Sequence, residues 1–410
     1  MMKKIFAIVV GVACVVGVNA QTVGNESFSQ LKDGLLDIDL GKENKVRFGG
    51  YMQGGLFYKD VKNGNSEYGF DVDHAYLNMQ GSFLNDKLGF FVQADFVDSY
   101  PLLDAWVSYK PFSYLKISAG QKQTFTNGRE MMLLDQGLAF DNRSVVAESL
   151  SRTGRELGLF AESHISIGAM GVDLGLAVTS GDGRNSFGSS STDSDKGGLK
   201  YGGSATVYPL GFFTSGNELV FNDFIRESSP KLAIGASYSY NEGASEAVGE
   251  GHGAFTMYDA NGREAYPDYR KLTANVLFKW NGFSFLGEYV NTTATGLDGL
   301  YTLASDLDSK LRPQQIADFL ALGNGYTLQA GYLFRSLWAI DINYGCVKPE
   351  WEETDSSALH KVQGIKGGVS KYFLNNTFKL QLMGEYKSFK KKEGAPYKEF
   401  QARLNLQLLF

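Results

Sequence analysis

Counting back from the C-terminus in steps of two, Phe410, Leu408, Leu406, Leu404, Ala402 and Phe400 share one side of the chain. Leu409, Gln407, Asn405, Arg403 and Gln401 fall between them. Successive strand side chains point to opposite faces, so this stretch has one wholly apolar face and one mostly polar face. It is as long as a tilted membrane-crossing strand, roughly 9–11 residues. The same alternation marks stretches 46–58, 71–83, 88–96, 102–110, 114–122, 155–164, 170–180, 231–241, 271–280 and 283–291. It returns at 325–334, 338–347, 362–373 and 378–389, and in its least regular form at 201–210. The pattern predicts an all-β fold, a transmembrane antiparallel β-barrel of about 16 strands, an even number as in bacterial barrels.

The connections sharpen that prediction. Asn281-Gly282 between two alternating runs is a strong hairpin signal, and Asn85-Asp86 and Asn375-Asn376 mark similar turns. Long and short connections mostly take turns, which predicts short periplasmic turns and long extracellular loops at 181–200, 242–269 and 292–324. Two connections break the order: 97–101 is short for an outer loop, and 211–230 is long for a periplasmic one. Residues 21–45 are polar without sustained alternation and are expected to be a periplasmic lead-in, with the barrel covering 46–410.

The first 20 residues are different in kind. Lys3 and Lys4 precede an apolar run from Ile5 to Val18, and Val18-Asn19-Ala20 has the small residues of a cleavage site. This predicts a secretory signal peptide over 1–20, removed on export to the outer membrane of a Gram-negative bacterium. Its removal takes the formal charge from −6 to −8, an acidic balance that argues against nucleic acid as a partner. It also leaves Cys346 as the only cysteine, so no internal disulfide is available. A mean hydropathy of −0.19 fits strands with one wet face, and 22 Tyr and 29 Phe suit aromatic girdles.

Stretch 123–154 is far longer than a usual hairpin loop, yet it contains Met131, Leu133, Leu138, Phe140, Val145 and Val146. Apolar residues in a long loop need something to bury against, and the lumen is the place that offers it. An inward-folded constriction loop is therefore expected. It carries Arg129, Arg143 and Arg152, with Arg155 just beyond. Polar strand faces add Arg47, Lys116 and Lys122 among other cations, as well as carboxylates such as Asp95, Asp104 and Glu288. Arg and Lys around a narrow point favour anions, because their donors replace the water an anion gives up. The candidate anion path is thus Arg129, Arg143, Arg152, Arg155, Lys122, Lys116 and Arg47.

Several motifs carry a family resemblance. They are FGGYMQ at Phe48, HAYLNMQGSF at His74, LGFFVQADF at Leu88 and LLDAWVSYKPF at Leu102. ISAGQKQTF at Ile117, DNRS at Asp141 and GRELG at Gly154 follow. With these the chain, from about Phe48 onward, resembles the phosphate-selective porins named for porins O and P. The resemblance implies a 16-stranded homotrimeric outer-membrane channel that passes phosphate-like anions along basic residues. It aligns Arg143 with the arginine of the family's constriction-loop motif, Arg155 with the arginine opening the next strand, and Lys122 with a position just before the loop. In one place the chain departs: Val72-Asp73-His74-Ala75-Tyr76 stands where the family has an arginine-rich start to its second strand.

Catalysis finds little support. The four histidines, His74, His164, His252 and His360, lie on different predicted elements, with no local Ser/His pattern and no metal-ligand spacing. The chain is expected not to be an enzyme and to need no cofactor or metal. The expected function is passive diffusion of small hydrophilic solutes through a barrel in outer-membrane lipid, leaning to anions such as phosphate. Two alternatives stand beside it. Tyr and Asp facing the constriction would favour neutral or zwitterionic solutes, such as small sugars and peptides. Outer loops such as 251–255 and 351–353 could instead bind a partner.

Overall fold

The computed structural model describes residues 36–41, 44–62, 65–185, 197–250, 253–304, 306–374, 376–389 and 397–410. The expected signal peptide and residues 21–35 of the lead-in lie outside the described residues, as do Asn375 and His252. The chain forms β1 (Leu36–Gly41), β2 (Asn44–Val61), β3 (Glu67–Phe83), β4 (Leu88–Asp95), β5 (Leu102–Phe112) and β6 (Leu115–Gln123). Next come β7 (Arg155–Ile167), β8 (Met170–Thr179), β9 (Lys200–Tyr208), β10 (Lys231–Asn241), β11 (Asp268–Trp280) and β12 (Phe283–Thr295). The last five are β13 (Gly323–Leu333), β14 (Trp338–Pro349), β15 (Val362–Phe373), β16 (Phe378–Phe389) and β17 (Tyr397–Leu409).

From β2 onward each strand pairs antiparallel with the next, including β9 with β10 across the long 209–230 connection. β17 then closes onto β2, from Leu409 opposite Tyr51 to Glu399 opposite Val61. Sixteen strands thus make a closed barrel, and closure leaves no open sheet edge along the paired registers. Each of the 16 predicted strands is present.

β1 is the unexpected strand. Leu36, Ile38 and Leu40 alternate with Asp37 and Asp39, but six residues are too few to stand out against a polar lead-in. β2 begins before the last strand can reach it. Phe410 exchanges backbone hydrogen bonds with Gly50, and β1 pairs beyond that point, Leu36 opposite Phe48 and Gly41 opposite Asn44. The extra strand covers the stretch of β2 edge that β17 leaves bare.

The wall is inverted relative to a soluble sheet. On β17, Arg403, Asn405 and Gln407 are 8%, 4% and 3% exposed, while Leu404, Leu406 and Leu408 are 42–49% exposed. Apolar side chains look outward around the circumference, as an apolar milieu requires. Asn281 and Gly282 both have positive φ (48° and 94°), the condition for the tight turn that joins β11 to β12. Tight turns gather at one rim, with 209–230 as the exception, and most long loops lie at the other.

Most of the apolar core therefore sits inside the barrel, not between sheets. Leu133, Leu138, Phe140, Phe213, Phe221, Leu277 and Leu286 form one buried cluster. Val145, Val146, Leu150, Val248, Val347 and Leu359 form another. Both are built largely from loop residues that have entered the lumen.

Candidate solute pathway

The loop between β6 and β7 leaves and returns at one place, where Thr124 N–H donates to Gly154 O at 2.8 Å. Between these points it holds two short helices, α1 (Arg129–Met132) and α2 (Val145–Leu150), the second capped by Ser144. Its groups bond to inward-facing side chains around the barrel. Tyr76 on β3 donates to Asp135 at 2.7 Å, Gln53 on β2 to Asp141 O at 3.0 Å, and Gln407 on β17 to Gln136 O at 3.0 Å. Ser237 on β10 donates to Thr126 O at 3.2 Å. A segment tied to opposite walls at once lies across the lumen.

Two sequence devices hold it there. The first is a row of lysines. Lys379 on β16 donates to Leu138 O and Ala139 O at 3.2 and 3.0 Å. Lys366 on β15 reaches Arg143 O at 2.5 Å, and Lys271 on β11 reaches Asn127 Oδ1 at 2.9 Å. The second is a glycine shelf on β13, β14 and β15. A Cβ at Gly345 would lie 2.7 Å from Val145 Cγ2, one at Gly364 2.6 Å from Val145 Cγ1, and one at Gly325 3.1 Å from Val146 Cγ1. Only a wall without side chains lets α2 lie this close.

A second segment enters from the turn rim. Residues 209–230, the connection that was long for a turn, carry buried Phe213, Val220 and Phe221. Lys279 on β11 donates to Val220 O at 2.7 Å. The segment meets the first loop through two backbone bonds, Leu134 N to Leu219 O at 2.9 Å and Phe221 N to Gly137 O at 2.8 Å. The break in loop order thus has a physical reason: the connection fills lumen instead of turning at the rim.

The predicted cations are placed as follows. Arg143 donates to Leu133 O at 3.1 Å and to Asp135 at 2.5 Å, so it braces the loop internally. Burial alone would raise the Asp135 carboxyl, but Arg143 and Arg155 hold it below the usual carboxylate range. Arg155 pairs with Asp104 at 2.9 Å and Arg152 with Glu246 at 2.5 Å. Lys122 and Lys116 share Glu162 at 2.5 and 3.1 Å and lie over the Trp106 ring. Arg47 sits on the β2 overhang, in register with Asp37 and Gln80, away from the loop. Arg129 differs: it forms no ion pair among the described residues, and its guanidinium reaches the hydroxyls of Thr206 (3.4 Å) and Tyr208.

The departing segment on β3 turns out to face the lumen. Asp73 and Asp71 bind Arg403 at 2.9 and 2.7 Å, and Asp141 of the loop binds it at 2.7 Å. His74 contacts Asp95 at 3.1 Å, with the rings of Tyr51 and Tyr76 tilted against it. One arginine facing three aspartates leaves this wall acidic. The signal was present in the β3 sequence, but nothing in it told that Arg403, 330 residues away, would be the partner.

Between the two inserted segments and the walls of β6 to β11 lies a cavity of about 480 Å³. Arg129, Phe125 and Met132 border it from the first loop and Glu218 and Leu219 from the second, with Lys116, Glu162 and Asp173 on the wall.

No family model matches the chain, and neither does any curated protein. Solved structures do. Salmonella typhi OmpF, determined as a complex with daunomycin, is 15% identical with a TM-score of 0.56, covering 92% of this chain and 100% of its own. The outer membrane channel DcaP of Acinetobacter baumannii is 12% identical with the same TM-score of 0.56, covering 92% and 100%. OmpT of Vibrio cholerae, described as a trimer form, is 9% identical with a TM-score of 0.51, covering 90% and 99%. In fold, the chain is a closed 16-stranded barrel of the porin kind.

Proposed function

We propose that the protein is an outer-membrane porin giving passive diffusion to small hydrophilic solutes, with neutral and zwitterionic solutes favoured over simple anions. The carrying observation is the charge pairing of the lumen. Arg143, Arg152, Arg155, Lys116 and Lys122 each face a carboxylate within 3.1 Å. A paired cation has spent much of its attraction for a passing anion, and the Asp71–Asp73–Asp141 side repels one. The long-loop rim is extracellular on this reading, and the chain reaches the outer membrane after loss of residues 1–20. A homotrimer is part of the proposal, supported by the trimer form described for OmpT.

The anion-leaning reading has one observation in its favour. Among the described residues Arg129 forms no ion pair, and it shares its cavity with Lys110 and Lys116, which fits the resemblance to phosphate-selective porins. Liposome swelling separates the two. Proteoliposomes should swell at similar rates in isotonic arabinose and glycine, and more slowly in potassium gluconate. Fastest swelling in potassium phosphate or gluconate would reverse the order and favour anions.

A further inference from the structure

We propose that the cavity between the two inserted segments is a binding site for small zwitterionic solutes, with the solute's carboxylate on Arg129 and its ammonium on Glu218. This rests on the porin reading above and adds the residues that would hold the solute.

Arg129 and Glu218 come from opposite rims and border one cavity. Among the described residues, neither has an oppositely charged group in ion-pair contact. Among the described residues the Arg129 guanidinium reaches only neutral hydroxyls, although it offers five donors in a fork shaped for a carboxylate. Glu218 Oε2 is buried with no hydrogen-bond partner, a costly state for a carboxylate. Burial pushes the Glu218 carboxyl up; hydrogen bonds from the backbone of Glu218 itself and of Gly216, with the charges of Lys279 and Arg129, only partly offset this. Arg129 is thus near enough to be felt, yet the two form no ion pair among the described residues. A solute with both charges can bridge that gap.

Of the remaining charges bordering the cavity, Lys110 has no ion pair among the described residues, and the others are matched. Lys116 has Glu162 at 3.1 Å, and Asp173 has His164 and Tyr208, each at 2.7 Å. A simple anion would satisfy Arg129 and leave Glu218 bare; a simple cation would do the reverse. At about 480 Å³ the cavity falls within the range of small-molecule sites, roughly 300–1,000 Å³. Phe125 and Tyr208 give a short side chain an apolar surface.

The test uses the full-length protein in planar bilayers at neutral pH, reading the residence time of current blockages. Three probes are compared: dialanine, N-acetyl-dialanine (carboxylate only) and dialanine amide (ammonium only). Dialanine should stay about tenfold longer than either singly charged probe, the effect of one added charge-assisted hydrogen bond. Glu218→Gln should erase its advantage over N-acetyl-dialanine, and Arg129→Gln its advantage over the amide. Arg129→Lys, which keeps the charge, should retain part of the latter. Each variant is first shown to open channels in KCl; if one fails to, the three-probe comparison on the unmodified protein still decides. Equal residence of all three probes on the unmodified channel, or advantages that survive both Gln substitutions, would overturn the site while leaving the porin reading intact. Absence of KCl conductance in the unmodified protein would instead defeat the porin reading itself.

Discussion

At the scale of single residues, the lumen lysines do an unexpected task. A lysine on the polar face of a barrel strand looks the same in sequence whether it faces water or a carbonyl, so no local signal marks the role of Lys271, Lys279 and Lys379. All three are at most 3% exposed and donate to the inserted segments. Lys379→Met should strand two loop carbonyls, costing about 1–3 kcal/mol locally. Open-channel current noise should rise, and the loop should become susceptible to added protease; quiet current and an uncut loop would mean that these bonds hold nothing. Asp135 gives a pH prediction. Its folded-state pKa is depressed below that of the unfolded chain, so its stabilising contribution is present above the unfolded value and lost as pH falls through the folded one. The Arg143 brace should therefore hold at neutral pH and loosen only below the usual carboxylate range, about pH 4. Asp135→Asn should bring the same current noise to pH 7, with little further change on acidification.

Elements were more legible than sites. Period-two alternation is a direct imprint of a wall with one apolar and one wet face, so all 16 wall strands could be read from it. β1 escaped because it is short, and its role depends on where β17 stops, which no local pattern records. The inward loop was legible through its apolar content, since Val145, Val146 and Phe140 need burial that an outer loop cannot provide. The 209–230 segment has the same signature in Phe213, Val220 and Phe221, but its length showed only as an irregularity. The partners of Arg143, Arg155 and Arg403 were not legible, because they depend on contacts between distant strands. The glycine shelf makes the element-scale prediction. Gly345→Val would put methyl groups where Val145 already lies, an overpacking that costs about 1–3 kcal/mol. Displacing α2 should widen the passage and raise single-channel conductance, while Gly367→Ala, with open space around its Cβ position, should leave conductance unchanged.

For the whole molecule, the barrel wall and the lumen are separate constructions. The wall meets its outer surroundings with leucines and aromatics, while two chain segments from opposite rims meet inside it and share a core. What can pass depends on the charges left over after that assembly. Five of the seven predicted path cations pair with four carboxylates, Lys116 and Lys122 sharing Glu162, and the β3 side carries excess aspartate. On the function proposed above, weak selectivity between small ions is the expected outcome. The most direct measurement is the reversal potential of the purified protein in a planar bilayer under a tenfold KCl gradient. An ideally selective channel would show about 59 mV, with the sign set by the preferred ion. The balanced lumen predicts a small fraction of that value; a potential close to the limit with the anion sign would contradict it and restore the basic pathway.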